Sequence, residues 1–415
     1  MIKKIPVYIA LFWLFVVLDS FLIWNPLGGV IKLLAYSGVI VVTYWYAISK
    51  QLSLSNKSIL AFLCIGLLFL WILSKFDGNI NAYILLPLLW LSLLCIMLWP
   101  IEEYEKLYVF FRKGIIFFAI GSTFVSLFTV TGLIRFVPYF EIGPRSPLHE
   151  ELGIVYHVYF FFVTNFGPME FFPRACGMLQ EPGHFAIILG FTYMMDRLLE
   201  RKVSIWIIIC GILTFSSNFP IIVVITEMYN LMKVRNLIKV FKGIILAIIC
   251  SLVVYNFLSK DMQETVKYLA YERNLEEVVD AITTSGSLQE GLDKRTSSSG
   301  DVAFRNIDAS NMWTGLGHDD TVITLSDYRG VILQYGLIGL ILIILAIFSV
   351  TRLFPVKEKI QVILFLFLIL LHRSWMFYAP YLYFLPFLLS RLYCQQQELI
   401  AQTQADENPE VSLIV

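Results

Sequence analysis

Arginine and glutamate face each other across a short stretch that leads into an apolar run, Arg174-Ala-Cys-Gly-Met-Leu-Gln-Glu-Pro-Gly-His-Phe-Ala186. An ion at the mouth of a membrane helix is costly to desolvate, so two of them there call for a reason. Glu181-Pro182 reads as a helix start, with proline at the first helical position and a carboxylate near the positive end of the helix dipole. Arg174 is close enough in sequence to fold back on Glu181. The pair then neutralises itself while guanidinium donors remain for an anionic ligand, which the planar fork of arginine suits.

A second constellation lies further along, in Phe304-Arg305 through Leu340. It holds Arg305, a Gly315-Leu-Gly317 turn, His318, Asp319, Asp320, Asp327 and Arg329. Arg373, in Leu-Leu-His-Arg-Ser-Trp, is a further cation between two short apolar runs and dips below the headgroups on that reading. Asp327, His318 and Glu181 are each chemically suited to take a proton from a hydroxyl. The His-Asp-Asp run is not read as a metal site, because adjacent side chains do not converge on one ion and no distant ligand set supports them. No CxxC pair suggests a redox or metal centre.

The elements that must hold these residues are membrane helices. Hydrophobic residues make up 58% of the chain and charged residues only 15%, with several apolar stretches long enough to cross a bilayer. Apolar windows near 5–24, 29–49, 59–74, 82–99, 114–134, 183–199, 203–217, 218–232, 243–258, 330–350, 360–372 and 376–392 give about twelve spans in an all-α polytopic membrane protein. In the short connections eighteen Lys and Arg fall on one face and five on the other. The positive-inside rule then makes both termini cytoplasmic and puts the two longest connections outside.

This predicts N-terminal helices over 1–134, an outer loop over 135–182, central helices over 183–258, a second outer loop over 259–329, C-terminal helices over 330–392 and a polar, disordered cytoplasmic tail over 393–415. Ile154–Phe166 is apolar but too short to span and is read as re-entrant or interfacial. In the second loop, Leu275, Val278, Val279 and Ile282 have helical spacing, and Asp301 is read as the cap of a helix running to Trp313, as part of a small folded cap. A net charge of zero carries no argument for a nucleic-acid partner, and none is expected.

In this setting the sequence resembles the O-antigen polymerase and ligase superfamily, the Wzy-type membrane glycosyltransferases. Arg174-x-x-Gly177-x-x-x-Glu181-Pro182 is similar to that family's R-x-x-G…E-P segment. Arg305, Trp313-Thr-Gly-Leu-Gly317, Asp327 and Gly336-Leu-Ile-Gly339 are similar to its second-loop pattern. The ligases resemble one another in a His-Asn start to the last motif, where this chain has Leu325-Ser326-Asp327, which favours a polymerase.

The resemblance implies a GT-C-like membrane enzyme of the bacterial cytoplasmic membrane with an extracytoplasmic site, acting on undecaprenyl-diphosphate-linked oligosaccharide. It implies inverting transfer without metal or other cofactor, with membrane lipids, a chain-length regulator and a flippase as partners. Arg174, Arg305, Arg329 and Arg373 are then expected to bind the diphosphate, and Asp327, His318 or Glu181 to act on the acceptor hydroxyl. A ligase-type glycan transferase and a flippase or transporter of lipid-linked sugars are the alternatives. A transporter is expected to show mid-membrane charges and related halves, and no repeat is seen.

Overall fold

The computed structural model describes residues 5–24, 27–52, 56–75, 80–143, 155–166, 174–179, 181–231, 260, 263, 303–317, 328–372 and 379–407. It is mostly helical. The helices are α1 (Ile5–Val17), α2 (Gly28–Ile48), α3 (Asn56–Ser74), α4 (Ile80–Ile96), α5 (Ile101–Val130), α6 (Pro182–Leu198), α7 (Ile205–Leu213), α8 (Asn218–Leu231), α9 (Ala309–Thr314), α10 (Tyr328–Val350), α11 (Val356–His372) and α12 (Tyr381–Glu407). Three of them, α2, α5 and α10, are long and apolar enough to cross a membrane. The expected span at 243–258 and most of the 259–329 loop lie outside the described residues.

Two helices run past their expected ends. α5 begins at Ile101, well before the apolar window, with Glu102 and Glu103 in its first turn where the helix dipole favours acids. α12 continues through the tail to Glu407, so 395–407 is helical rather than disordered. Its Gln, Glu, Leu and Ala residues are good helix formers, and no glycine or proline interrupts them before Pro409.

The chain divides into two compact units, one of Met1–Phe111, Leu198–Glu200 and Thr296–Val415, the other of Arg112–Arg197 and Arg201–Arg295. The core of the first is built from large rings, and the polar handles of Trp13, Trp99 and Tyr104 are met inside it. Trp13 Nε1 donates to Ser92 Oγ at 2.7 Å, and the Trp13 ring meets Phe384 edge-on at 5.4 Å. Trp99 Nε1 donates to Thr43 Oγ1 at 2.7 Å, and Tyr104 Oη donates to the Ile96 carbonyl at 2.9 Å. Lipid supplies no hydrophobic drive between helices, so close packing and such internal bonds must hold them together.

The second unit adds a sheet to the mostly helical frame. The 135–182 connection carries a four-stranded antiparallel sheet in the order β1-β2-β3-β4. Its strands are β1 (Phe140–Ile142), β2 (Val155–Tyr159), β3 (Phe162–Phe166) and β4 (Arg174–Gly177). Over 155–166 the apolar segment is thus a β-hairpin, with Tyr159 paired to Phe162 across a turn at Phe160 and Phe161. The Phe162 ring lies against α5 where a Cβ on Gly121 would fall, and beside Phe117 at 5.4 Å.

α6 is the central helix of this unit, with every residue from Pro182 to Asp196 buried. Asp196, at 0% side-chain exposure, ends that run. Arg112 of α5 clamps it, with Nε 2.7 Å from Oδ1 and 2.9 Å from Oδ2, while Nη2 donates to the Lys202 carbonyl at 2.6 Å. One residue on, Arg197 Nη2 donates to Glu227 Oε2 at 3.0 Å, and Tyr193 donates to Glu227 Oε1 at 2.9 Å.

Arg112→Ala leaves a buried carboxylate without its partner, a loss of about 3–5 kcal/mol. Thermal unfolding of detergent-solubilised protein is expected to show a large fall in midpoint for Arg112→Ala and a smaller one for the Arg112→Ala/Asp196→Ala double variant, which removes both charges.

Candidate functional site

The second unit holds Arg174 and Glu181, joined by a short module in which each residue type has a local reason. β4 ends at Gly177, which has φ +63°, and a Cβ there would fall within the Phe185 ring. Glycine is required on both counts. The chain then turns, with Leu179 N donating to the Cys176 carbonyl at 2.9 Å. Glu181 follows as the residue before α6, its carbonyl accepting from Phe185 N at 3.1 Å. Pro182 opens the helix as expected.

Arg174 bonds to the end of α7. Its Nε donates to the Thr214 carbonyl at 3.1 Å and its Nη2 to the Phe215 carbonyl at 3.3 Å. Phe215 has φ +48°, a left-handed conformation a bulky residue adopts at a cost of about 1–3 kcal/mol. The guanidinium therefore meets the negative end of a short helix and holds a strained turn. A permanently charged group with further donors on the same plane is fixed in orientation by these two bonds. His184, 3% exposed in the first turn of α6, lies in the same module and was not among the expected site residues. Its position three residues after Glu181 on a helix start was the available signal.

The first unit holds the other described constellation. Arg305 is exposed and sits in a single helical turn over 303–305. Asp301 lies outside the described residues; the helix expected to run from it to Trp313 is interrupted at Ile307, and its later part is α9, capped by Asp308, whose side chain accepts from Asn311 N at 2.6 Å. Asp308 precedes a run to Trp313 without glycine or proline, and Ile307 breaks it from the turn before. Arg329 lies in the first turn of α10.

Gly315 and Gly317 follow α9 with φ +79° and +89°, and they dock on a break in α10 at Gly336, which has φ 69° and ψ −179°. Such a break frees the carbonyls before it. Leu316 N donates to Leu333 O at 2.7 Å, Gly317 N to Gln334 O at 3.0 Å, and Trp71 Nε1 to Tyr335 O at 2.8 Å. A Cβ on Gly315 would fall on the Gln334 carbonyl, and one on Gly336 on the Trp313 carbonyl. The Gly-Leu-Gly turn and the Gly336-Leu-Ile-Gly339 motif are thus two halves of one backbone-to-backbone joint.

Asp327, His318 and Arg373 lie outside the described residues. Among the described residues no group of His, Cys, Asp and Glu is arranged to hold a metal ion. Sequence reading also passes over Asp196 and Glu227, which sit inside apolar windows. No family model, curated protein or solved structure matches the chain.

Backbone contacts at Gly336 leave no side chain to give way. Gly336→Ala is expected to lower stability by more than about 1–3 kcal/mol, since a positive φ and a backbone clash coincide. Gly66→Ala, where nothing lies within 4 Å, serves as the matched control. Melting midpoints in detergent, with Gly315→Ala behaving like Gly336→Ala, check this.

Proposed function

We propose that the chain is a Wzy-type polymerase of undecaprenyl-diphosphate-linked oligosaccharide repeat units. The observation that carries the reading is the Arg174–Gly177–Glu181–Pro182 module, in which a guanidinium is oriented by two carbonyls at the end of α7 and is followed in the chain by a helix start. Its support is chemical. Breaking the bond between a glycan and its lipid diphosphate releases negative charge, and arginine stabilises such charge through short, paired hydrogen bonds. Arg174 and Arg305 are assigned to the diphosphate, with Arg329 and Arg373 as further cations.

In the transfer, the acceptor hydroxyl of one lipid-linked unit attacks the anomeric carbon of the growing glycan on another. The new glycosidic bond forms as the old one breaks, with inversion. Undecaprenyl diphosphate leaves with the electron pair, and a general base takes the hydroxyl proton. Asp327 is assigned that role ahead of His318, because it adjoins the rigid start of α10, whereas His318 follows the Gly315–Gly317 turn. Glu181 is the third candidate. The enzyme is assigned twelve spans, cytoplasmic termini and a site on the outer side of the bacterial cytoplasmic membrane, as the basic-residue distribution requires.

A purified enzyme given a defined lipid-diphosphate repeat unit tests the assignment. Arg174→Ala and Arg305→Ala are each expected to lose most polymer formation. Lysine in either place restores only part, keeping the charge but not the planar fork. Full polymer formation by both alanine variants at normal expression overturns the shared diphosphate site. For the proton, Asp327→Asn is expected to nearly abolish transfer while still binding substrate, and His318→Gln to retain activity; the reverse result moves the base to His318.

Topology is tested separately. Tags within 286–298 are expected to be reached from outside and tags after 395 only from the cytoplasm. Labelling from the opposite side at either place overturns the map.

A further inference from the structure

The β2–β3 hairpin has an apolar tip, and two helices measure where that tip lies. Both rulers start at the Arg112–Asp196 pair. Arg112 and Lys113 on α5, with Arg201 and Lys202 just after α6, mark that level as the inner edge of the hydrocarbon by the positive-inside rule. Gly121, which carries the Phe162 ring, is nine residues further along α5, about 13 Å at the rise of an α-helix. Phe185, which carries Gly177, is eleven residues before Asp196 on α6, about 16 Å by the same measure. Gly177 pairs with Val163, next to Phe162. The two rulers agree, and half the hydrocarbon thickness is about 15 Å.

We infer that the β2–β3 turn is a wedge immersed in lipid, with Phe160 and Phe161 against acyl chains near the middle of the bilayer. Three features fit that solvent. Phe160 and Phe161 are 64% and 56% exposed, and they continue the exposed apolar surface of α5, where Phe117, in contact with Phe162, is 52% exposed. The two strands that go deepest are the inner ones of the sheet, β2 lying between β1 and β3, and β3 between β2 and β4. Tyr156–Val158 are paired on both sides, with β1 and β3, and Val163–Asn165 with β2 and β4, while Tyr159 and Phe162 pair with each other at the turn, as hydrocarbon demands of backbone groups.

The turn itself is also telling. Phe160 has φ +57°, a conformation that glycine or asparagine adopts more easily. In water the turn would favour a small or polar residue there. In acyl chains an asparagine amide is costly and a phenyl ring is favoured.

Spin labels test the depth. In protein with its six native cysteines replaced, nitroxides are placed singly at Phe160→Cys, Phe161→Cys, Phe117→Cys and Glu141→Cys. The proteins are reconstituted in phosphatidylethanolamine–phosphatidylglycerol vesicles, and collision with oxygen and with a water-soluble nickel chelate is read by power saturation. The oxygen-to-nickel ratio at 160 and 161 is expected to match that at 117 and to exceed that at 141 several-fold. Nickel access at 160 and 161 like that at 141, with 117 still shielded, overturns the wedge.

Nickel access at 117 as well removes the span on which the depth rests, and the inference with it. The unaltered protein gives a second reading. A phosphatidylcholine with a diazirine in mid-chain is expected to mark 160–161 alongside 117, and marks at 117 alone overturn the wedge.

Discussion

Hydrocarbon offers no water to a peptide group, so each place where a membrane chain leaves the helix must bring its own donor or acceptor. Two such places stand out among the described residues. At Gly336 the α10 ladder breaks, and the carbonyls of Leu333, Gln334 and Tyr335 are met by Leu316, Gly317 and Trp71. At the end of α7 the carbonyls of Thr214 and Phe215 are met by Arg174. Apart from Trp71, the donors come from segments that the sequence motifs single out. The side chain or loop that carries a motif also completes the backbone beside it.

That double duty shapes what the candidate site can be. A guanidinium held by two carbonyls loses little further freedom when an anion arrives, which is the sense in which a site is prepared before its ligand. The dependence also runs the other way. The turn at Phe215, in its left-handed conformation, rests on the bonds from Arg174, so the geometry of α7 and α8 is tied to the residue assigned to the diphosphate. Further down α6, the Arg112–Asp196 pair fixes the other end of the same helix. Its carboxylate is wholly buried, and such pairs set geometry more surely than they add stability.

Much of this was legible in the sequence wherever lipid dictates the pattern. Apolar windows place α2, α3, α6, α10 and α11 within a few residues, and Glu181-Pro182 marks the start of α6. The sheet was not legible, for a definite reason. Ile-Val-Tyr-His-Val-Tyr-Phe-Phe-Phe-Val-Thr-Asn-Phe carries no glycine, proline or Asn-Gly pair at its centre, and the turn falls on Phe160, which no turn rule favours. Charge was read by side of the membrane and not by partner, so Arg112 counted as an inner-face cation while its bond to Asp196 went unseen. One helix from Asp301 to Trp313 was expected, and the interruption at Ile307 ahead of the Asp308 cap carries no glycine or proline to announce it. Gly177 and Gly336 stand in the sequence only as motif letters and Gly315 as a turn residue; the close approaches that demand them appear only in three dimensions.

The broken helix has a consequence for how the chain is made. Trp71, Leu316 and Gly317 all precede Leu333, Gln334 and Tyr335 in the chain. When the segment that becomes α10 leaves the ribosome, every donor its unpaired carbonyls require has already been synthesised. No carbonyl at the break has to wait in lipid for a residue not yet made. A circular permutant opened between Gly317 and Tyr328 would reverse that order, delivering the break to the membrane before its loop.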